Sequence, residues 1–274
     1  MARTFVVIRP VVDLRSSPGI ILPDDYSHQE GRETQLLLGE SLELIEEKSE
    51  WLNVGALEQL RYTDQAGWSP YPGWVHRSEV QEGPPTQYSH VVCTAKYHSG
   101  STPDSNPDCT PSSLSYGTWV NSTQEIGTRA IPNFPNREQM VLEARPFIGM
   151  PYLWGGRSLG PSSQVASVDC SGLVNLLYRA QGIHIPRNAH DQYLISRSAV
   201  VLQPGDLLYL AKNVRVNHVI MKLDEFTFIE APETGKNVRL LKWGIDVWEE
   251  EGKIRIFDRP HSYTAYPRSF IHTH

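Results

Sequence analysis

A thiol, an imidazole and a carboxylate follow one another in the order that nucleophilic catalysis needs, at Cys170, His218 and Glu230. Cys170 comes directly after Asp169, a good helix N-cap because its carboxylate can accept hydrogen bonds from the unpaired first N–H groups. Gly182 suits the left-handed position just past a helix end. Between them Leu173, Leu176, Leu177 and Ala180 recur at offsets of three and four, which predicts about three turns of helix with one apolar face. Cys170 then lies in the first turn, where the macrodipole favours negative charge and biases a thiol toward thiolate. A free cysteine is otherwise a small buried hydrophobe, so the assignment depends on a partner.

That partner is offered downstream. Residues 216–221 and 226–231 are two β-prone runs separated by Lys222-Leu223-Asp224-Glu225, a hairpin signal. A hairpin centred on Asp224 makes His218 and Glu230 direct cross-strand neighbours, their Cβ atoms about 5 Å apart. The carboxylate would fix the imidazole's tautomer and raise its pKa, favouring an imidazolium–thiolate pair. His184 and His190 lie nearer to Cys170 in sequence, but on predicted loops and turns, and they receive no catalytic role.

The elements around this trio follow the same order. Asn136 can cap a helix whose buried face carries Val141, Ala144, Phe147 and Ile148, ended by Gly149. A polar loop over 159–167 precedes the nucleophile. A short helix is expected near 188–194, then strands at 206–210, 216–221, 226–231 and 238–241. Helices first and antiparallel strands after make this an α+β pattern.

These motifs together resemble the NlpC/P60 family of papain-like cysteine peptidases. The resemblance rests on Gly149-Met150-Pro151-Tyr152-Leu153-Trp154-Gly155-Gly156, Asp169-Cys170-Ser171-Gly172-Leu173-Val174, Gly182-Ile183-His184-Ile185-Pro186-Arg187, Gln203-Pro204-Gly205-Asp206-Leu207-Leu208 and Asn217-His218-Val219, in the family's order over roughly residues 136–243. It implies a Cys170–His218–Glu230 triad in which Glu230 departs from the family's usual His, Asn or Gln. It also implies an oxyanion site formed by the backbone N–H of Cys170 and the hydroxyl of Tyr152. No cofactor and no metal is called for.

The first 80 residues show short β runs broken by Gly, Pro, Asn and Asp, with no helical period. Their order, with Gly67-Trp68 and Gly73-Trp74, resembles a bacterial SH3 (SH3b) domain, with Trp51, Trp68 and Trp74 expected in a small barrel core. Tyr71-Pro72-Gly73-Trp74-Val75 resembles a loop that projects a tyrosine into the peptidase cleft. The resemblance implies that Asp169 and Ser171, with Tyr71, grip the free α-amine of an N-terminal L-alanine, so that the enzyme cuts after γ-D-glutamate in peptidoglycan stem peptides. The expected fold is therefore α+β, a papain-like NlpC/P60 domain behind a small all-β SH3b-like barrel module. The expected boundaries are 1–85 for the SH3b domain, 86–130 for a degenerate second SH3b-like segment and linker, and 131–274 for the catalytic domain.

Bulk properties limit the alternatives. A formal net charge of −6 supplies no basic footprint for nucleic acid or an anionic membrane. No segment has the length of a membrane span, and the apolar run Phe5-Val6-Val7-Ile8 is too short for a signal peptide, so a cytoplasmic location is expected unless a leader was removed. Cys93, Cys109 and Cys170 are odd in number and lack metal-site spacing. Asn121-Ser122-Thr123 matches a glycosylation sequon but is read as an accident of composition. The partners expected are peptidoglycan-derived peptides, met by a monomer. Two rival readings are a non-catalytic wall-peptide binding protein and a thiol amidase or acyltransferase. The intact trio argues against the first, and the lack of an amphipathic membrane stretch against the second.

Overall fold

The structure, a computed structural model, describes residues 3–22, 31–85, 87–93, 114–120, 128–159 and 167–271. Cys109, the sequon at 121–123 and most of the polar loop, at 160–166, lie outside the described residues.

Seven strands come first: β1 (Thr4–Val7), β2 (Val11–Arg15), β3 (Arg32–Leu37), β4 (Ser41–Lys48), β5 (Trp51–Thr63), β6 (Gly67–His76) and β7 (Val80–Glu82). They form one antiparallel barrel-like sheet in the order β3-β2-β6-β5-β4-β1-β7. Its core is mostly aliphatic, built from Val12, Leu14, Leu36, Leu42, Leu52 and Val54 among others, with Phe5 and Tyr71 as its aromatic members. The tryptophans do not join it. Side chains alternate faces along a strand, and with Leu52 and Val75 pointing inward, Trp51 and Trp74 fall on the outer face. Trp51 packs there against His76 and beneath Arg15, and Trp68 is 41% exposed. Tyr71, expected on a loop, sits within strand β6.

A small sheet follows, in which β8 (His90–Val92) lies between β9 (Trp119–Val120) and β10 (Thr128–Ala130). The remaining chain holds helices α1 (Arg137–Ala144), α2 (Cys170–Ala180) and α3 (Ala189–Ile195). Eight strands come after them: β11 (Arg197–Ser198), β12 (Leu207–Lys212), β13 (Arg215–Lys222), β14 (Thr227–Glu230), β15 (Arg239–Lys242), β16 (Val247–Glu250), β17 (Lys253–Ile256) and β18 (Ser262–Ser269). The sheet runs β15-β14-β13-β12-β18-β17-β16, with β11 against β18. Helix α1 stops at Ala144, before Pro146, and buries Met140, Glu143 and Ala144, while Ile148 is 39% exposed rather than part of the buried face. Glu143 is buried because Tyr116 and Arg129 bond it.

Helix α2 forms as its sequence demands. Asp169 Oδ1 accepts from Gly172 N at 2.6 Å, Gly182 takes a positive φ of 76°, and Leu173, Leu176, Leu177 and Ala180 are all buried. That face packs on β13 in one core with Tyr209, Val219 and Met221. Val11 and Leu37 of the N-terminal sheet belong to the same core, so apolar packing runs unbroken from one half of the chain to the other. On the other side of the C-terminal sheet, Leu208, Leu210, Ile220 and Phe228 are covered by Val247, Ile254, Ile256 and Tyr263. The strands past residue 243 are additions to those expected from the sequence. The pair Glu251 and Gly252, with φ of 52° and 71°, makes their hairpin, and an X-Gly dipeptide between alternating runs is a recognised signal for one.

Candidate active site

The hairpin carrying the base is centred one residue later than its sequence suggests. Met221 pairs with Ile229 and Lys222 with Phe228, because Asp224 Oδ1 caps the turn by accepting from Phe226 N and Thr227 N. Extending this register puts His218 opposite Pro232, so His218 and Glu230 are diagonal rather than direct neighbours. A shift by an even number of positions keeps both on one face, and a diagonal separation of about 7–8 Å is within reach of long side chains. The contact survives, with His218 Nε2 to Glu230 Oε2 at 2.7 Å.

Glu230 is fully buried and crowded by cations. Arg239 donates to Oε1 from Nε at 2.9 Å and Nη2 at 2.7 Å, and Arg259 donates to Oε2 from Nη2 at 2.7 Å. Asp258 holds Arg239 from the far side and also binds Lys236. Burial opposes charge on Glu230, yet the hydrogen bond from His218 and the positive fields of His218, Arg259 and Arg239 hold its carboxyl down at about 2. An ionised carboxylate only accepts, so His218 Nε2 carries the proton and Nδ1 is the nitrogen free to serve a thiol. The expected rise in the His218 pKa does not occur. Burial pushes it down first and the Arg259 cation second, and the Glu230 anion does not overcome them.

The thiol is likewise displaced from expectation. Burial, and then the adjacent Asp169, push Cys170 up to about 12, against hydrogen bonds from the backbone of Val219 and Ser171 and the field of Arg187. These shifts favour a neutral thiol at Cys170 and a neutral imidazole at His218. The Val219 N–H at the sulfur fixes the thiol against β13, one residue along from His218.

Around Cys170 lies a cleft of about 420 Å³, within the range of roughly 300–1,000 Å³ usual for small-ligand sites. Tyr152 lines it, with its hydroxyl pKa raised by burial and then by Asp169 and Cys170, which keeps it a proton-bearing donor beside the sulfur. Asp169 and Ser171 line it too, but both are committed. Arg187, missed in the sequence, donates to Asp169 Oδ1 at 3.0 Å, to Oδ2 at 2.7 Å and to Ser171 Oγ at 2.9 Å, while Oδ2 also accepts from Gly155 N. The N-terminal sheet forms the opposite wall through Gly31, Arg32, Glu33 and Tyr71. Tyr71 donates to Glu33 Oε2 at 3.2 Å, and burial, then the Glu33 charge, push its pKa up to about 12. His190 lines the cleft, whereas His184 packs edge-on against Trp119 and burial lowers its pKa to about 4. Among the described residues no cluster of His, Cys, Asp and Glu could hold a metal, and no helix is long and apolar enough to cross a membrane.

The two walls are bolted together by buried charge. Arg187 Nε reaches Thr34 Oγ1 at 2.6 Å. Arg157 Nη1 meets Glu40 Oε1 at 2.7 Å, Arg179 Nη1 meets Glu58 Oε2 at 2.6 Å, and Gln35 Oε1 accepts from Arg157 N and Ser158 Oγ.

A thiol at the start of a helix, packed on an antiparallel sheet that carries its imidazole, defines a papain-like cysteine hydrolase. Residues 149–254 match the model of the NlpC/P60 family. That stretch is an NlpC/P60 domain, of a family of cysteine peptidases. The chain is similar to a γ-D-glutamyl-L-lysine dipeptidyl-peptidase of Bacillus subtilis strain 168, at 27% identity over 80% of this chain and 78% of the relative. It is also similar to the murein DD-endopeptidase MepH of Escherichia coli K12, at 34% identity over 37% of this chain and 38% of the relative. Its fold resembles the crystal structure of an NlpC/P60 family protein from Bacillus cereus ATCC 10987, with a TM-score of 0.69, 20% identity and coverage of 96% of this chain and 98% of that one.

Proposed function

We propose that the chain hydrolyses the γ-D-glutamyl–diamino acid bond of peptidoglycan stem peptides bearing a free N-terminal L-alanine. One observation carries this reading. The N-terminal sheet walls one side of the cleft with Glu33 and Tyr71, a hydrogen-bonded and partly buried polar pair, and the start of helix α2 lines the same cleft. A wall of that kind leaves no path for polymer beyond it and offers an anion to an ammonium. The family resemblance places the α-amine on Asp169, Ser171 and Tyr71. With Asp169 and Ser171 spent on Arg187, Glu33 is the lining carboxylate without a cation among the described residues, so the ammonium is assigned to Glu33 and Tyr71.

In this reading residues 1–85 are an SH3b domain, 86–130 a degenerate second one with linker, and 131–274 the catalytic domain. His218 Nδ1 takes the thiol proton as Sγ attacks the scissile carbonyl. The oxyanion is met by the Cys170 N–H and the Tyr152 hydroxyl. The imidazolium then protonates the leaving amine, and water, deprotonated by His218, releases L-Ala-γ-D-Glu. Glu230 positions the ring throughout.

The test is digestion of L-Ala-γ-D-Glu-L-Lys, its diaminopimelate counterpart and their N-acetylated forms, with products identified by mass. Cleavage after D-glutamate in the free-amine peptides alone is expected. Comparable cleavage of the blocked peptides would overturn the reading, because an unpaired carboxylate left at Glu33 should make them poor substrates.

A further inference from the structure

The charges of the cleft leave two groups over. Of the lining cations, Arg32 is bound to Asp13 and Arg187 to Asp169, each at 2.7 Å with its side chain almost wholly buried. Glu33 is left on the N-terminal wall. On the other side is Arg215, which is exposed, lines the cleft and has no carboxylate partner among the described residues.

Arg215 does not enter the cleft by chance of a flexible tip. In a regular strand consecutive side chains point to opposite faces, yet Arg215, Val216 and Asn217 all line the cavity. The ladder explains this. Leu210 pairs with His218 and Ala211 with Val216, so Asn217 is an extra residue and the strand is bulged immediately before the base. A bulge bends its strand and re-aims side chains. Here it keeps His218 on Glu230 while bringing Arg215, three positions upstream, to the same cavity as the thiol. The guanidinium lies near enough to His190, another lining residue, to oppose its protonation.

A γ-glutamyl linkage spends the side-chain carboxyl on the scissile amide and leaves the α-carboxylate free, a short carbon spacer from the bond to be cut. An α-linked peptide has no such group at that place. We propose that Arg215 is the subsite for this free α-carboxylate, so that the cleft reads its substrate as a zwitterion, with ammonium at Glu33, carboxylate at Arg215 and the scissile carbonyl between them at Cys170. The inference rests on the γ-D-glutamyl reading above and adds to it the group that distinguishes a γ from an α linkage.

The experiment crosses two enzymes with three peptides. Wild type and Arg215→Met are assayed on L-Ala-γ-D-Glu-L-Lys, on the same peptide with the D-glutamate α-carboxyl amidated, and on the peptide with only the lysine carboxyl amidated. For wild type, amidating the glutamate should lower kcat/KM by about ten- to a hundredfold, the range for losing one charge-assisted hydrogen bond. Arg215→Met should lose a similar factor on the acid peptide and then be nearly indifferent to glutamate amidation. Arg215→Lys should recover part of the preference. Arg215 is exposed, so these variants do not threaten the fold. A full preference for the acid peptide in Arg215→Met would overturn the proposal, as would a loss that follows amidation of lysine, since that would place the diamino acid's carboxylate at the guanidinium. If wild type cuts none of the three peptides, the γ-D-glutamyl reading itself fails and the subsite falls with it, an outcome distinct from cleavage that ignores Arg215.

Discussion

Replacing Arg259 with methionine should change the acidity of a residue that it never touches. Arg259 Nη2 and His218 Nε2 each lie 2.7 Å from the same oxygen of Glu230, which puts the two nitrogens within about 5 Å of each other. At an effective dielectric of about 20, unit charges at that separation repel by roughly 3 kcal/mol, equivalent to about two pKa units. Glu230 keeps its two bonds from Arg239, so its carboxylate persists and its attraction for an imidazolium is less compensated. Both effects raise the His218 pKa from its lowered value. His218 must be unprotonated to act as base, so the acid limb of kcat/KM should move to higher pH by about one to two units. Arg259→Lys, which retains the cation, should stay near wild type. The assay is the pH dependence of kcat/KM on the free-amine peptide, with the ring titration followed by NMR. A uniform fall in rate with the acid limb unmoved would refute the reasoning and reduce Arg259 to a structural brace.

Other outcomes follow from the same geometry. Cys170 is half-buried beside Asp169 with its pKa pushed up to about 12, so the rate of alkylation by iodoacetamide should still be climbing above pH 9, and a plateau near neutral pH would mean a preformed thiolate. Tyr152→Phe should lower kcat by about a hundredfold with little change in KM, as removal of one oxyanion donor does; an unchanged kcat would put the hydroxyl outside the reaction. Arg187→Met should cost roughly 3–5 kcal/mol of unfolding free energy by denaturant titration, since it leaves the Asp169 carboxylate buried without its cation. Glu230 is held at about 2, below its ordinary value of 4.5, so its share of stability is present above that ordinary value and is lost as pH falls through about 2. Glu230→Gln should therefore flatten the acid end of the stability profile; retention of the full acid dependence would place the titration elsewhere.

What could be read in advance, and what could not, divides by the range of the interaction. Helix α2 was legible because its cap, its apolar spacing and its terminal glycine all lie within 14 residues of sequence. His218 and Glu230 were found as a pair because strand parity survives an even shift in register, although the turn itself was placed one residue early. The sign of the His218 shift was missed because it depends first on burial and then on Arg259, with Arg239 adding to it, groups brought in by the segment after β17 and by β15, and nothing local marks an arginine as a carboxylate's partner. The commitment of Asp169 was hidden for the same reason. Arg187 directly follows Pro186 in the sequence, but only the fold brings that guanidinium back onto the N-cap. The tryptophans were misjudged from residue type alone, where strand alternation with Leu52 and Val75 would have turned Trp51 and Trp74 outward.

The contact between Gly155 and Arg32 bears on how such an enzyme can change over evolutionary time. Gly155 has a φ of 72°, and a Cβ there would lie 2.9 Å from Arg32 Cγ and 3.1 Å from Arg32 O, so even a methyl group would have to displace the neighbouring strand. Close by, Arg157 needs the acid of Glu40 and Arg179 that of Glu58 in a dry seam. A barrel borrowed from a relative would bring its own residues at 34, 35, 40 and 58, and each mismatch would strand a guanidinium away from water. The N-terminal sheet should thus be inherited with its peptidase rather than exchanged between lineages as a portable module. Compensating substitutions should appear in pairs across the seam, and a chimera that transplants Thr34, Gln35, Glu40 and Glu58 together with the foreign barrel should fold where the simple swap does not.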